Sequence, residues 1–74
     1  SGVVITRISG GGSAERAGLQ PNDVIISVNN RDTPSMAELQ EQVGRYRPGD
    51  LVSVDYIRKG RKFRKDRVRL QGIQ

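Results

Sequence analysis

Six serines, at positions 1, 9, 13, 27, 35 and 53, are the candidate nucleophiles in this chain, and they stand in a sequence with no histidine and no cysteine. Serine is a weak nucleophile until a base takes its proton. The commonest base is missing, no lysine is placed beside a serine with any specificity, and the eight carboxylates are scattered. The chain itself is therefore not expected to be catalytic. Absence of cysteine and histidine also excludes a thiolate or imidazole metal site and a disulfide framework, and no cofactor is expected.

Two other groups of residues could bind rather than react. Arg58, Lys59, Arg61, Lys62, Arg64, Lys65, Arg67 and Arg69 fall within twelve residues and account for most of a net charge of +5. Such a run can hold phosphates, with Arg58, Lys59, Arg61, Lys62 and Arg64 as the candidate anion-binding set, or it can keep an exposed hairpin soluble. Nucleic acid is disfavoured, because Phe63 alone interleaves the cations and is expected to be buried. The second group is a stripe of Ala37, Gln40 and Gly44, which is shallow where a solvated helix face would carry long polar side chains. It is either such a face or the wall of a groove.

The elements that would position these residues can be read in order. Val3 to Ile8 is β-branched, with apolar groups on both faces, and predicts a strand covered on both sides. Gly10-Gly11-Gly12 predicts a loop, Ser13 a cap, Ala14 to Ala17 a one-turn helix, and Gly18 its left-handed end. Gln20-Pro21-Asn22-Asp23 has turn chemistry, and Val24 to Val28 follows as a buried strand. Asn29-Asn30 predicts a tight turn. Ser35-Met36-Ala37-Glu38 is a capping box, starting a helix from Met36 to Arg45 or Tyr46. At about 100° per residue Met36, Leu39 and Val43 cluster on one face, expected to be core.

Arg47-Pro48-Gly49-Asp50 stops that helix, and Leu51 to Ile57 alternates as a strand with Val52, Val54 and Tyr56 inward. Arg58-Lys59-Gly60-Arg61 reads as a hairpin turn. In the return strand Phe63 is odd-numbered while Val68 and Leu70 are even-numbered, so a bulge near Arg64 to Asp66 is required if all three face inward. Gln71 to Gln74 reads as a tail. With 74 residues, one domain is expected, its core over about residues 2–70, close to the size at which a single core suffices. No apolar run is long enough to span a bilayer, and no targeting segment is visible.

Ser13-Ala14-x-x-Ala17-Gly18-Leu19-x-x-x-Asp23-x-Ile25, followed by Val28-Asn29, resembles the central signature of bacterial PDZ domains, above all those of the HtrA (Deg) family of envelope serine proteases. The family usually has Gly-Asp before the buried strand and Asn-Gly after it. This chain has Asn22-Asp23 and Asn29-Asn30, a mild departure because asparagine tolerates positive φ. The resemblance implies an α+β fold: a PDZ-like, partly open β-sandwich or barrel of four to five strands with two helices, of the bacterial permuted type. The groove strand and carboxylate-binding loop that usually precede the strand at Gly2-Val3 are expected to be missing from this chain.

It further implies a module that binds extended or C-terminal peptides as an added strand. Mapped by resemblance, the peptide-binding residues are Thr33, Met36, Ala37, Gln40 and Gly44. The parent would be a serine protease of the bacterial periplasm or cell envelope, engaged in protein quality control, with its catalytic domain elsewhere and a homo-oligomeric state left open. PDZ modules of tail-specific proteases, intramembrane metalloproteases and secretion-system proteins are the alternative parents.

Overall fold

Where glycine or asparagine interrupts the β-branched runs, the chain reverses, and these reversals set the sheet. The computed structural model describes residues 2–6 and 13–70, with Ser13 described by its backbone alone. The elements are β1 (Val3–Val4), α1 (Ser13–Arg16), β2 (Val24–Val28), β3 (Arg31–Asp32), α2 (Met36–Val43), β4 (Leu51–Arg58) and β5 (Arg61–Arg69). All pairings are antiparallel, in the order β1-β2-β4-β5, with β3 on the same edge of β2 as β1. The expected triple-glycine loop, the capping hydroxyl of Ser13, the far end of the first strand and the tail lie outside the described residues.

The turns follow the sequence closely. α1 ends in a Schellman arrangement: Gly18 adopts φ +84°, its N–H donates to Glu15 O, and the Leu19 N–H donates to Ala14 O. Gln20 to Asp23 closes with Asp23 N–H on Gln20 O at 3.1 Å, Pro21 holding the first corner and Asn22 the second at φ +79°. Asn29 and Asn30, at φ +49° and +66°, make the two-residue turn between β2 and β3. Lys59 and Gly60, at φ +52° and +77°, do the same between β4 and β5.

Core side chains are Val3, Leu19, Ile25, Val28, Val52, Val54, Tyr56 and Val68, with Ile5, Ala14, Ala17, Leu39, Tyr46 and Leu70 packed against them. Val52, Val54 and Tyr56 point inward together, as their alternation predicts. The required bulge is present one residue later than expected: Val54 pairs with Lys65 and Val52 with Val68, leaving Asp66 and Arg67 opposite Ser53 alone. It moves the inward face of β5 from odd to even residues. A second bulge, at Ile26, lets Ser27 and Val28 both be buried on opposite faces of β2.

Two expectations need correction. β1 is a two-residue strand whose pairing continues, among the described residues, through the mutual bonds of Ile5 with Asn22 and Asp23, and Val4 is 53% exposed, so β1 is covered on one face. Helix α2 does not bury Met36, Leu39 and Val43 as one stripe. Met36 is half exposed and Val43 exposed at the rim, while Leu39 and Gln42 face inward, because the sheet meets the helix about 60° away from the most apolar direction.

Candidate functional site

Helix α2 is held at its start by Ser35, whose Oγ accepts the Glu38 N–H at 3.4 Å while its hydroxyl donates to the Glu38 carboxylate at 3.0 Å. The capping box thus closes through the two side chains. Fixed in this way, α2 lies against β2 and presents an exposed stripe of Met36, Gln40 and Val43 at i, i+4 and i+7. Beside it is an apolar cavity of about 170 Å³, walled by Leu39 and Val43 of α2, Ala14 of α1 and the inward valines and isoleucine of the sheet. Nearly all of its lining is hydrocarbon, so it suits an aliphatic group rather than a water.

Of the residues expected to bind a ligand, Met36 and Gln40 share this stripe, with Ala37 and Gly44 exposed on its solvent side. Thr33 does not join them. It is wholly enclosed, with its N–H bonded to Ile26 O and its Oγ1 lacking a partner among the described residues, so it packs the fold and cannot touch a ligand at the surface. Sequence reasoning missed Leu39 and Val43 as cavity walls because the same apolar periodicity serves a filled core and an open one. No signal marked Gln42, which is 8% exposed with Oε1 unpartnered among the described residues.

The candidate anion-binding residues divide sharply. Arg58 grips Asp23 with Nε and Nη2, each at 2.8 Å, donates to Gly18 O at 3.1 Å and lies over the Tyr56 ring. One step beyond the Val24–Ile57 pair, the antiparallel register places Asp23 opposite Arg58. These hydrogen bonds hold the Asp23 carboxyl below its ordinary pKa against the opposing effect of burial, with the Gln20 N–H assisting, and the Asp23 bond raises Arg58. Arg64 is likewise committed, to Asp66 at 3.1 Å, Asn30 at 3.0 Å, Ser53 at 3.0 Å and Asp55 at 3.5 Å. Lys59, Arg61 and Lys62 remain exposed around the hairpin tip. Phe63 is 41% exposed and stacks on Tyr56 with centroids 5.7 Å apart, a correction to its expected burial.

Among the described residues no three metal-ligating side chains come together, and no helix is long and apolar enough to cross a membrane. The geometry that remains is an apolar cavity with an amphipathic helix edge.

Comparison with known proteins adds kinship to that geometry. A family model described as "PDZ domain" matches residues 1–68. The serine endoprotease DegS of Escherichia coli K12 is 42% identical over 57 residues, which is 77% of this chain and 16% of that protein. The chain thus spans about a sixth of the length of this relative. The HtrA-type protease AlgW solved with a decapeptide superposes with a TM-score of 0.84 at 31% identity, over all of this chain and 23% of that one. The PDZ domain of HtrA3, bound to a phage-derived ligand (FGRWV), gives a TM-score of 0.77 at 25% identity, over 92% of this chain and 62% of that one.

Proposed function

This chain belongs to the PDZ domain family, and we propose that it recognises an extended peptide along α2, with an apolar side chain of that peptide seated in the cavity against Leu39 and Val43. The observation that carries this reading is the pairing of an apolar cavity with exposed apolar residues, Met36 and Val43, at its rim. Water gains nothing from either surface, whereas burying one aliphatic side chain there contributes about 1.5–3 kcal/mol. Gln40 stands on the same stripe and offers both a donor and an acceptor to a peptide backbone. Ala37 and Gly44 leave space beside it. The relatives solved with a decapeptide and a pentapeptide support the ligand class.

The same kinship supports a parent that is an HtrA-like envelope serine protease with its catalytic domain elsewhere, to which the module would bring substrate or regulatory peptides in the bacterial periplasm. A fluorescence-polarisation titration tests the groove, using a labelled peptide that ends in valine against the wild-type chain, Val43→Glu and Gln40→Ala. Val43→Glu should weaken binding at least about tenfold, since a carboxylate at the rim opposes an apolar group. Unchanged affinity for Val43→Glu in a folded protein would remove the cavity from the binding surface.

A further inference from the structure

The sequence leaves the cations of the C-terminal segment as either an anion-binding set, Arg58 to Arg64, or a solubilising hairpin, and the structure gathers a different set of cations at the other end of β5. A cavity of about 290 Å³ opens between Arg16 and Ala17 at the end of α1 and residues 65–69 of β5. Four of its lining residues are cationic, Arg16, Lys65, Arg67 and Arg69, against one carboxylate, Asp66. That carboxylate is already bound by Arg64 from outside the cavity, at 3.1 Å. None of the four cations has a salt bridge or side-chain hydrogen bond among the described residues. Uncompensated like charges drawn into one concavity repel each other and concentrate a positive field there, which an anion relieves.

Backbone strain is stored at the same place. Arg67 sits at φ +59° within the bulge, a conformation that glycine adopts freely and an arginine only at a cost. Among the described residues the other non-glycine residues with positive φ are three asparagines and Lys59, all in turns. Non-glycine residues held in the left-handed region gather at ligand clamps.

We propose that this pocket binds a phosphoryl group, with Arg16, Arg67 and Arg69 supplying planar donors and Lys65 a point charge. Three guanidiniums favour a phosphoryl oxyanion over a spherical halide, because their N–H pairs match two oxygens at once. At about 30 Å³ per water the cavity holds roughly nine or ten waters, ample for a tetrahedral oxyanion and part of its hydration. The group can arrive as free phosphate or as the phosphodiester headgroup of an anionic lipid, and both present the same oxygens.

The test titrates inorganic phosphate into the isotopically labelled chain at ionic strength fixed with chloride, following amide resonances of residues 16–18 and 65–69. A parallel arm measures cosedimentation with vesicles of phosphatidylglycerol and of phosphatidylcholine. Saturable shifts confined to those residues support the pocket with free phosphate as ligand. Binding to phosphatidylglycerol alone supports it with a headgroup as ligand. Arg67→Gly removes one donor while relieving the left-handed strain, so the fold is retained and affinity should fall about tenfold. Arg61→Ala, which removes an equal charge at the hairpin tip, should change affinity less than twofold. Equal losses in the two variants, or no response in either arm, would overturn the proposal.

Discussion

Replacing Thr33 by valine should stabilise the protein, although it deletes a hydroxyl from an enclosed residue in a loop between β3 and α2. Thr33 has no exposed surface and its Oγ1 has no hydrogen-bond partner among the described residues. A buried hydroxyl in that condition has lost its bonds to water without replacement, at a cost of about 1–3 kcal/mol. Valine has the same shape, and its second methyl turns the unsatisfied group into packed hydrocarbon. Backbone preference agrees, since the residue before Pro34 is confined to extended conformations that β-branched side chains favour, and the N–H of residue 33 keeps its bond to Ile26 O. The expected gain is about 1–2 kcal/mol, which in a domain of this size raises Tm by roughly 4–15 °C. Thr33→Ser separates the two parts of the argument. It keeps the hydroxyl and deletes a methyl, so it should lose about 1 kcal/mol. Thermal melts followed by circular dichroism, with guanidinium unfolding to confirm an unchanged m-value, measure both variants. A lower Tm for Thr33→Val than for the wild type would mean that the hydroxyl is satisfied in solution, and the reasoning from an unpaired buried group would fail.

The Asp23–Arg58 pair predicts a pH dependence. Because the folded-state pKa of Asp23 is lowered, its contribution is fully present above the unfolded value of about 3.9 and is lost as pH falls through the depressed folded value. Urea unfolding across an acid series should therefore show a steeper loss of stability in the wild type than in Asp23→Asn, and parallel curves would refute the linkage. Gly49 makes a simpler prediction. It sits at φ +95° after Pro48, and a Cβ there would meet no atom within 4 Å, so Gly49→Ala should cost about 1 kcal/mol of backbone strain alone. A loss in chemical denaturation of 3 kcal/mol or more would show that the turn does more than reverse the chain.

Local chemistry was legible wherever one residue type is nearly obligatory. Gly18 and Gly49 take positive φ where the sequence places a helix end and a Pro-Gly turn, and Asn22 and Asn30 substitute for the family's glycines at φ +79° and +66°. Ser35 caps α2 from an extended backbone, its side chain accepting the Glu38 N–H. What a helix faces is not written in the same terms. Periodicity places Met36, Leu39 and Val43 on one side of α2, but whether that side is filled depends on how the sheet's two bulges aim it, a property of pairings between strands far apart in the chain. Asp23 and Arg58 show the same limit: each is unremarkable alone, and only the Val24–Ile57 register makes them partners.

The basic segment shows how a demand of the core can create a surface. Phe63, Val68 and Leu70 cannot all face the sheet's inner side with strict alternation, so one residue must be added between them. The structure adds it at Asp66-Arg67, and Val68 becomes buried. The insertion puts Arg67 in the left-handed region, turns Asp66 back to Arg64, and leaves Lys65, Arg67 and Arg69 lining the concavity under Arg16. Counting charges gives one basic run of eight; following the bulge divides it into arginines that hold the fold, Arg58 and Arg64, and cations at the far end that form no salt bridge among the described residues. The apolar parity of three residues therefore decides which arginines are spent on stability and which face an incoming anion.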